Sequence, residues 1–138
     1  MKLVLDAEAV NVLAGADSVA QRQVRRAMTA AHRLRRDVTV PTVILAELYR
    51  GAGRNQLVDA LLAREETSLH LRDTDRSMAR LVGAVLATAG VGSDHLADAH
   101  AVAAAVEAGG GVVLTADVDD LEHLAGAYRT IVIERLGS

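Results

Sequence analysis

The chain has 138 residues, of which 51% are hydrophobic and 24% charged, with a formal net charge of −3. That composition describes one globular domain, residues 1-138, large enough for a real core, and it excludes a disordered chain. The lack of any cysteine removes disulfides, thiolate metal sites and cysteine nucleophiles. No uncharged apolar run approaches ~18 residues and the amino terminus has no signal-peptide pattern, so the sequence predicts a cytoplasmic protein without a membrane span.

In chain order, Leu3 to Asp6 reads as a short buried strand and Ala7 to Leu13 as a short helix. Asp17 or Ser18 caps a longer helix running to about Arg36. Val38 to Val40 is a strand stopped by Pro41. Thr42 then caps a helix through about Arg50, which Gly51 and Gly53 end. Gln56 to Glu66 is helical, Ser68 to Leu71 a strand, and Asp75 to Ala89 a helix closed by Gly90 and Gly92. Asp94 to Ala108 is another helix, ended by Gly109, Gly110 and Gly111. Val112 to Thr115 is a buried strand, Asp117 to about Gly126 a helix, and Thr130 to Ile133 a last strand. The strands are continuous apolar runs that alternate with helices, the pattern of a mostly parallel sheet covered on both faces. In such α/β sheets the functional crevice lies at the carboxyl ends of the strands.

Four acids fall beside core-forming segments: Asp6, Glu47, Asp98 and Asp117. Burying an unpartnered carboxylate costs several kcal/mol, so such placements need a reason. Asp6 ends a strand, where capping and function are equally good explanations. Glu47, read as helical, has Val43, Ile44 and Leu48 as neighbours, which favours function over a surface role. Asp98 interrupts an alanine-rich helix, where Asp is a poor residue. Asp117 has the strongest structural explanation, because with Asp120 it makes a good helix start. Asp94, Asp119 and Asp120 form a second tier, and Glu8 reads as an exposed first-turn residue.

Two like charges ~5 Å apart repel by ~3 kcal/mol at an effective dielectric of about 20. Four carboxylates in one pocket therefore raise their pKa values or recruit a cation. An all-oxygen donor set selects Mg²⁺ or Mn²⁺ over zinc or copper. Such an ion can orient and acidify a water and stabilise an in-line phosphoryl transition state. The chemistry indicated is metal-dependent hydrolysis of phosphodiesters.

The ordered segments Val4-Leu5-Asp6-Ala7, Pro41-Thr42-Val43-Ile44-Leu45-Ala46-Glu47-Leu48, Leu96-Ala97-Asp98-Ala99-His100 and Leu114-Thr115-Ala116-Asp117 resemble the PIN-domain ribonucleases. Within these, they are most similar to the VapC toxins of type II toxin–antitoxin modules. The resemblance spans essentially the whole chain. It implies a PIN-like three-layer α/β sandwich and a Mg²⁺-dependent endoribonuclease toxin. It also implies a homodimer neutralised by a cognate VapB-type antitoxin. Carried across, Asp6, Glu47, Asp98 and Asp117 match the metal-binding quartet, and Asp119 or Asp120 would support a second ion. One departure is Glu8, where the family commonly has Ser or Thr.

For RNA, the basic residues are nearly all arginine, which suits bidentate phosphate contacts. Arg22, Arg25, Arg26, Arg33 and Arg36 form a stripe on the second helix; a solvated face explains most of it, and a phosphate track is the functional reading. Arg50 and Arg54 are closer in sequence to Glu47. With only Tyr49 and Tyr128 as aromatics, no base-stacking platform is available, so RNA would be held by shape and phosphates. An antitoxin helix carrying a basic side chain would fill the acidic pocket, with Leu57, Val58, Leu61 and Leu62 as a groove or, more simply, as core. The five histidines make no motif: His95 and His100 are five apart and off one helix face. A haloacid-dehalogenase-like phosphatase or a receiver domain would need a downstream lysine, and Lys2 is the only one. A nucleotide-binding domain would need a glycine-rich phosphate loop after the first strand. The remaining alternative is a non-catalytic PIN-like module that binds RNA or protein.

Overall fold

The computed structural model describes residues 1–137. It contains five strands, β1 (Lys2–Leu5), β2 (Asp37–Pro41), β3 (His70–Arg72), β4 (Gly111–Thr115) and β5 (Ile131–Arg135). The helices are α1 (Ala7–Ala14), α2 (Val19–Arg33), α3 (Thr42–Leu45), α4 (Ala52–Arg64), α5 (Arg76–Ala89), α6 (Leu96–Glu107) and α7 (Val118–Ala125), with a 3₁₀ turn at Ser93–His95. The strand order is β3-β2-β1-β4-β5 and every pairing is parallel. The expected α/β sandwich is present, with a sheet that is wholly parallel.

Alternation along β1 explains the layers. Leu3 and Leu5 face a core built with Val10, Leu13, Val24 and Leu61. Val4 faces the other, with Met78, Val82, Val102 and Leu121. Sheet and helices thus stack as three layers. Helix α6 is buried nearly all round, and its alanines from Ala99 and from Ala101 to Ala105 are fully covered. Small side chains let that helix lie close to the sheet, which carries its first turn to the carboxyl edge of the central strands.

Chain order leaves β1 for β2 on one side and returns for β4 on the other, so the sheet reverses direction of growth between β1 and β4. Asp6 directly follows β1, and Asp117 follows β4 by one residue. Both therefore stand at the topological switch point, where parallel sheets open a crevice.

Several boundaries differ from expectation; α4 begins at Ala52 instead of Gln56 and takes in Gly53, and β3 and β5 are shifted by one or two residues. The helix beginning at Thr42 stops at Leu45, and the chain passes through turns before α4 starts at Ala52. Ile44, Leu45 and Leu48 are buried while Ala46 and Glu47 are exposed, so the turn keeps its apolar residues inward and releases Glu47 to solvent. Helix α2 ends at Arg33, because Arg35 adopts a left-handed φ of 57° and the Arg36 amide donates to the Ala31 carbonyl at 2.8 Å. The segment from Asp94 divides into the 3₁₀ turn and α6, so Asp94 and Asp98 do not share one regular helix.

At the opposite end of the sheet, β1 and β4 approach closely through Gly111, where a Cβ would stand 2.1 Å from the Lys2 carbonyl oxygen. That contact is with backbone and cannot be relieved by a rotamer change. Gly111→Ala is expected to cost about 1–3 kcal/mol, read as a lower urea midpoint with unchanged slope. A midpoint equal to wild type would show that the strands do not approach in this way.

Candidate metal centre

Asp6 leaves β1 with extended backbone and caps α1: its Oδ1 accepts from the Ala9 amide at 3.0 Å. Its own amide donates to the Leu114 carbonyl at 3.3 Å, tying it to β4. At 7% exposure, the carboxyl is raised above its ordinary range by burial, with hydrogen bonds from Thr115 and Ala9 opposing the rise. The capping explanation for Asp6 is therefore correct and does not exclude another role, since one oxygen caps and the group still lines the cavity described below.

Asp117 behaves in the opposite way. It occupies the position before α7, where its side chain faces the Asp120 amide without closing a cap hydrogen bond of ordinary geometry. Instead its amide donates to Thr115 Oγ1 at 2.8 Å. Thr115, fully buried at the end of β4, thus positions Asp6 through its hydroxyl and Asp117 through its oxygen. Desolvation, followed by the hydrogen bond and charge of Asp120, raises the Asp117 carboxyl.

Asp98 lies in the first turn of α6 and is partly buried. Its pKa is pushed up from 3.8 to about 6, first by desolvation and then by the charges of Asp117, Asp6, Asp120 and Glu47. Those four repulsions locate the other acids around it. Glu47 is exposed at the outer side.

A cavity of about 310 Å³ opens here, and Asp6, Glu47, Asp98 and Asp117 all line it, with Asn11 and Arg54. The Arg54 guanidinium donates to Asn11 Oδ1. Glu8 also faces the cavity while accepting from Asn11 Nδ2 at 3.4 Å. Four carboxylates from four separate segments, with Asp98 raised by desolvation and by the others, form a hard-oxygen donor set that suits a divalent cation such as Mg²⁺.

The remaining candidates separate clearly. Arg50 folds back onto the Ala46 carbonyl at 2.8 Å. Arg22 pairs with Asp17 at 3.5 Å and Arg25 with Glu65 at 3.3 Å. Arg26 borders a different cavity, beneath α2 with Lys2 and Arg36. Of the arginines named from sequence, Arg54 lines the acidic cavity. Asp119 is exposed and acts on Asp117 through charge. Asp94 is exposed and its Oδ2 lies 3.5 Å from His95 Nε2. His95 has no sequence motif, yet ligand atoms of His95, Asp98 and Asp120 lie within 4.8 Å of one another. Thr115, Asn11 and His95 carried no signal in sequence; only Thr115, two residues before an acid at a strand end, had a position that could have suggested a role.

Among solved structures, the chain is similar to VapBC2 from Rickettsia felis bound to a DNA fragment from the promoter, at 14% identity and TM-score 0.65, covering 99% of each chain. It is also similar to DNA-bound VapBC from Salmonella typhimurium, at 24% identity and TM-score 0.61, covering 98% of each chain. At these identities the likeness is one of fold. Comparison with curated proteins gives no significant match. The family model of the PIN domain matches residues 3–127, a span that includes every acid of the cavity, and the chain belongs to the PIN-domain family.

Proposed function

We propose that this chain is a Mg²⁺-dependent endoribonuclease, the toxin of a type II toxin–antitoxin module, neutralised by a VapB-type antitoxin. The observation that carries this reading is the convergence of Asp6, Glu47, Asp98 and Asp117 on one cavity at the switch point of a parallel sheet. These four would hold the metal, with Mn²⁺ able to replace Mg²⁺. When bound, such an ion acidifies a water and neutralises charge on an in-line phosphodiester transition state.

The chain's own groups define the rest. Asp6 is oriented by the Ala9 amide and the Thr115 hydroxyl, so its lone pairs point in a fixed direction before any ligand arrives. Asp117 presents its carboxylate to the same cavity from the start of α7. Glu47 stands on the solvent side, where a backbone phosphate and its waters enter. Arg54, steadied by Asn11, places a permanent positive charge on the cavity lining for a non-bridging phosphate oxygen. With two tyrosines and no phenylalanine or tryptophan, the chain has no platform of stacked aromatics, which supports recognition of RNA through backbone and shape.

The solved VapBC complexes support an antitoxin as partner. A basic antitoxin side chain would complement the cavity's surplus of carboxylates. On α4, Val58 and Leu61 are core while Leu57 is 51% exposed, leaving Leu57 as the apolar contact of that helix. A homodimer and a cytoplasmic setting belong to the same proposal; no helix among the described residues is long and apolar enough to cross a membrane.

The test incubates purified protein with total RNA in Mg²⁺ or EDTA and maps new 5′ ends. Cleavage at recurrent positions in Mg²⁺ alone is expected. Binding of RNA without new ends in Mg²⁺ or Mn²⁺ would make the chain a non-catalytic PIN-like module.

A further inference from the structure

His95 is set apart from the other histidines by its surroundings. His32, His100 and His123 each place a ring nitrogen against a backbone carbonyl, of Ser68 at 3.3 Å, Leu96 at 2.7 Å and Ala89 at 3.0 Å. The contacts of His95 are with carboxylates: Asp94 at 3.5 Å, and Asp98 and Asp120 in a group whose ligand atoms lie within 4.8 Å of one another. Its position is fixed by backbone. It closes the 3₁₀ turn, its amide donates to the Gly92 carbonyl at 3.2 Å, and Asp98 follows one helical turn later. Asp120 comes from the first turn of α7, which packs against α6.

Acids in the first turns of helices have an ordinary explanation, because the helix dipole favours them there. That accounts for Asp98 and Asp120 individually. It does not account for an imidazole brought within ligand distance of both.

We propose that His95 joins Asp98 and Asp120 at the second-ion position that the family resemblance implies and, through its imidazole nitrogen, makes that position select a borderline first-row transition ion over Mg²⁺. The proposal rests on the reading of the neighbouring cavity as a metal centre. Imidazole suits Fe²⁺, Ni²⁺ and Zn²⁺, and Co²⁺ lies between the first two in the affinity order, whereas Mg²⁺ prefers oxygen and retains its waters. With one ring nitrogen on the metal, the other is left to Asp94, the kind of carboxylate that commonly orients a metal-bound histidine. An ion here would stand across the shared Asp98 from the first and place a second positive charge beside the phosphodiester. The competing role for His95 is a hydrogen-bonding neighbour of the acids with no metal between them.

The experiment titrates the metal-free full chain with Co²⁺, followed by its visible absorption and by calorimetry, and separately with Mg²⁺. Wild type is expected to bind Co²⁺ about 100-fold more tightly than Mg²⁺ and to show a paramagnetically shifted imidazole N–H signal. His95→Gln should weaken Co²⁺ binding by about 10–100-fold and abolish that signal, while Mg²⁺ affinity stays within about twofold. His123→Gln should change neither. Equal Co²⁺ affinity in wild type and His95→Gln, or a wild type without Co²⁺ preference, overturns the proposal and leaves His95 as a hydrogen-bonding neighbour of the acids. RNA cleavage is scored apart: cleavage with no His95-dependent Co²⁺ site overturns this proposal alone, and a Co²⁺ site without cleavage overturns the nuclease reading alone.

Discussion

Asp98→Asn will make the metal-free protein more stable and the loaded protein inactive. Both effects come from one carboxylate. In the metal-free state Asp98 is partly desolvated and faces Asp117, Asp6, Asp120 and Glu47, and desolvation first, then that repulsion, push its pKa up to about 6. The difference from 3.8 sets a ceiling of about 3 kcal/mol; solvent screening of a partly exposed group reduces this to about 1–2 kcal/mol. Asparagine keeps the shape and removes the charge, so at pH 8 the variant should melt several degrees above wild type without metal. The same change removes a donor at the centre of the acidic set, and a loss of cleavage on the order of 10³-fold is expected. A variant that is both less stable and inactive would mean that Asp98 serves the fold.

The second large effect is on pH. A carboxyl whose folded pKa is raised binds its proton more tightly when folded, so its stabilising contribution is complete below the unfolded value and is lost as pH rises through the folded one. For Asp98 the window runs from 3.8 to about 6, and Asp6 and Asp117 shift in the same direction. The opposite shifts, at Asp75 and Glu107 beside Arg72, act below their ordinary values of 3.8 and 4.5 and leave the upper part of that window clear. Without metal, stability should therefore fall from about pH 4.5 to 6.5. Metal and proton compete for Asp98, so apparent Mg²⁺ affinity should drop about tenfold per pH unit below pH 6. Calorimetric titration at pH 5, 6 and 7.5 reads this directly, and an affinity constant across that range would contradict it.

Sequence exposed some of this site and hid the rest for identifiable reasons. Asp6 and Asp117 were legible because continuous apolar runs end at them, and strand ends of a parallel sheet converge. Asp98 was legible because an acid among alanines has no packing role. Glu47 was selected through helical neighbours in a segment that is not helical: the short α3 ends at Leu45, and Ile44, Leu45 and Leu48 are buried by a turn. Its presence on the cavity owes nothing to the periodicity that drew attention to it. The capping reading of Asp6, weighed equally with a functional one, holds, since Asp6 caps α1; at Asp117, where capping had the stronger claim, the side chain closes no cap hydrogen bond, and the Thr115 hydroxyl that receives its amide has no sequence signature. His95 was set aside because it makes no motif with His100; its acidic neighbours Asp98 and Asp120 come from two different helices, and a sequence pattern does not bring those together. The arginine stripe on α2 was correct as a pattern, yet Arg22 and Arg25 pair with nearby acids, and Arg54, isolated in sequence, is the one on the cavity.

The most direct test of the account is the rate at which one mapped RNA is cut in Mg²⁺ by wild type and by Asp98→Asn, prepared identically and both shown to be folded. The account predicts cleavage by wild type and a loss on the order of 10³-fold in the variant. Equal rates would place the activity outside this cavity and contradict it.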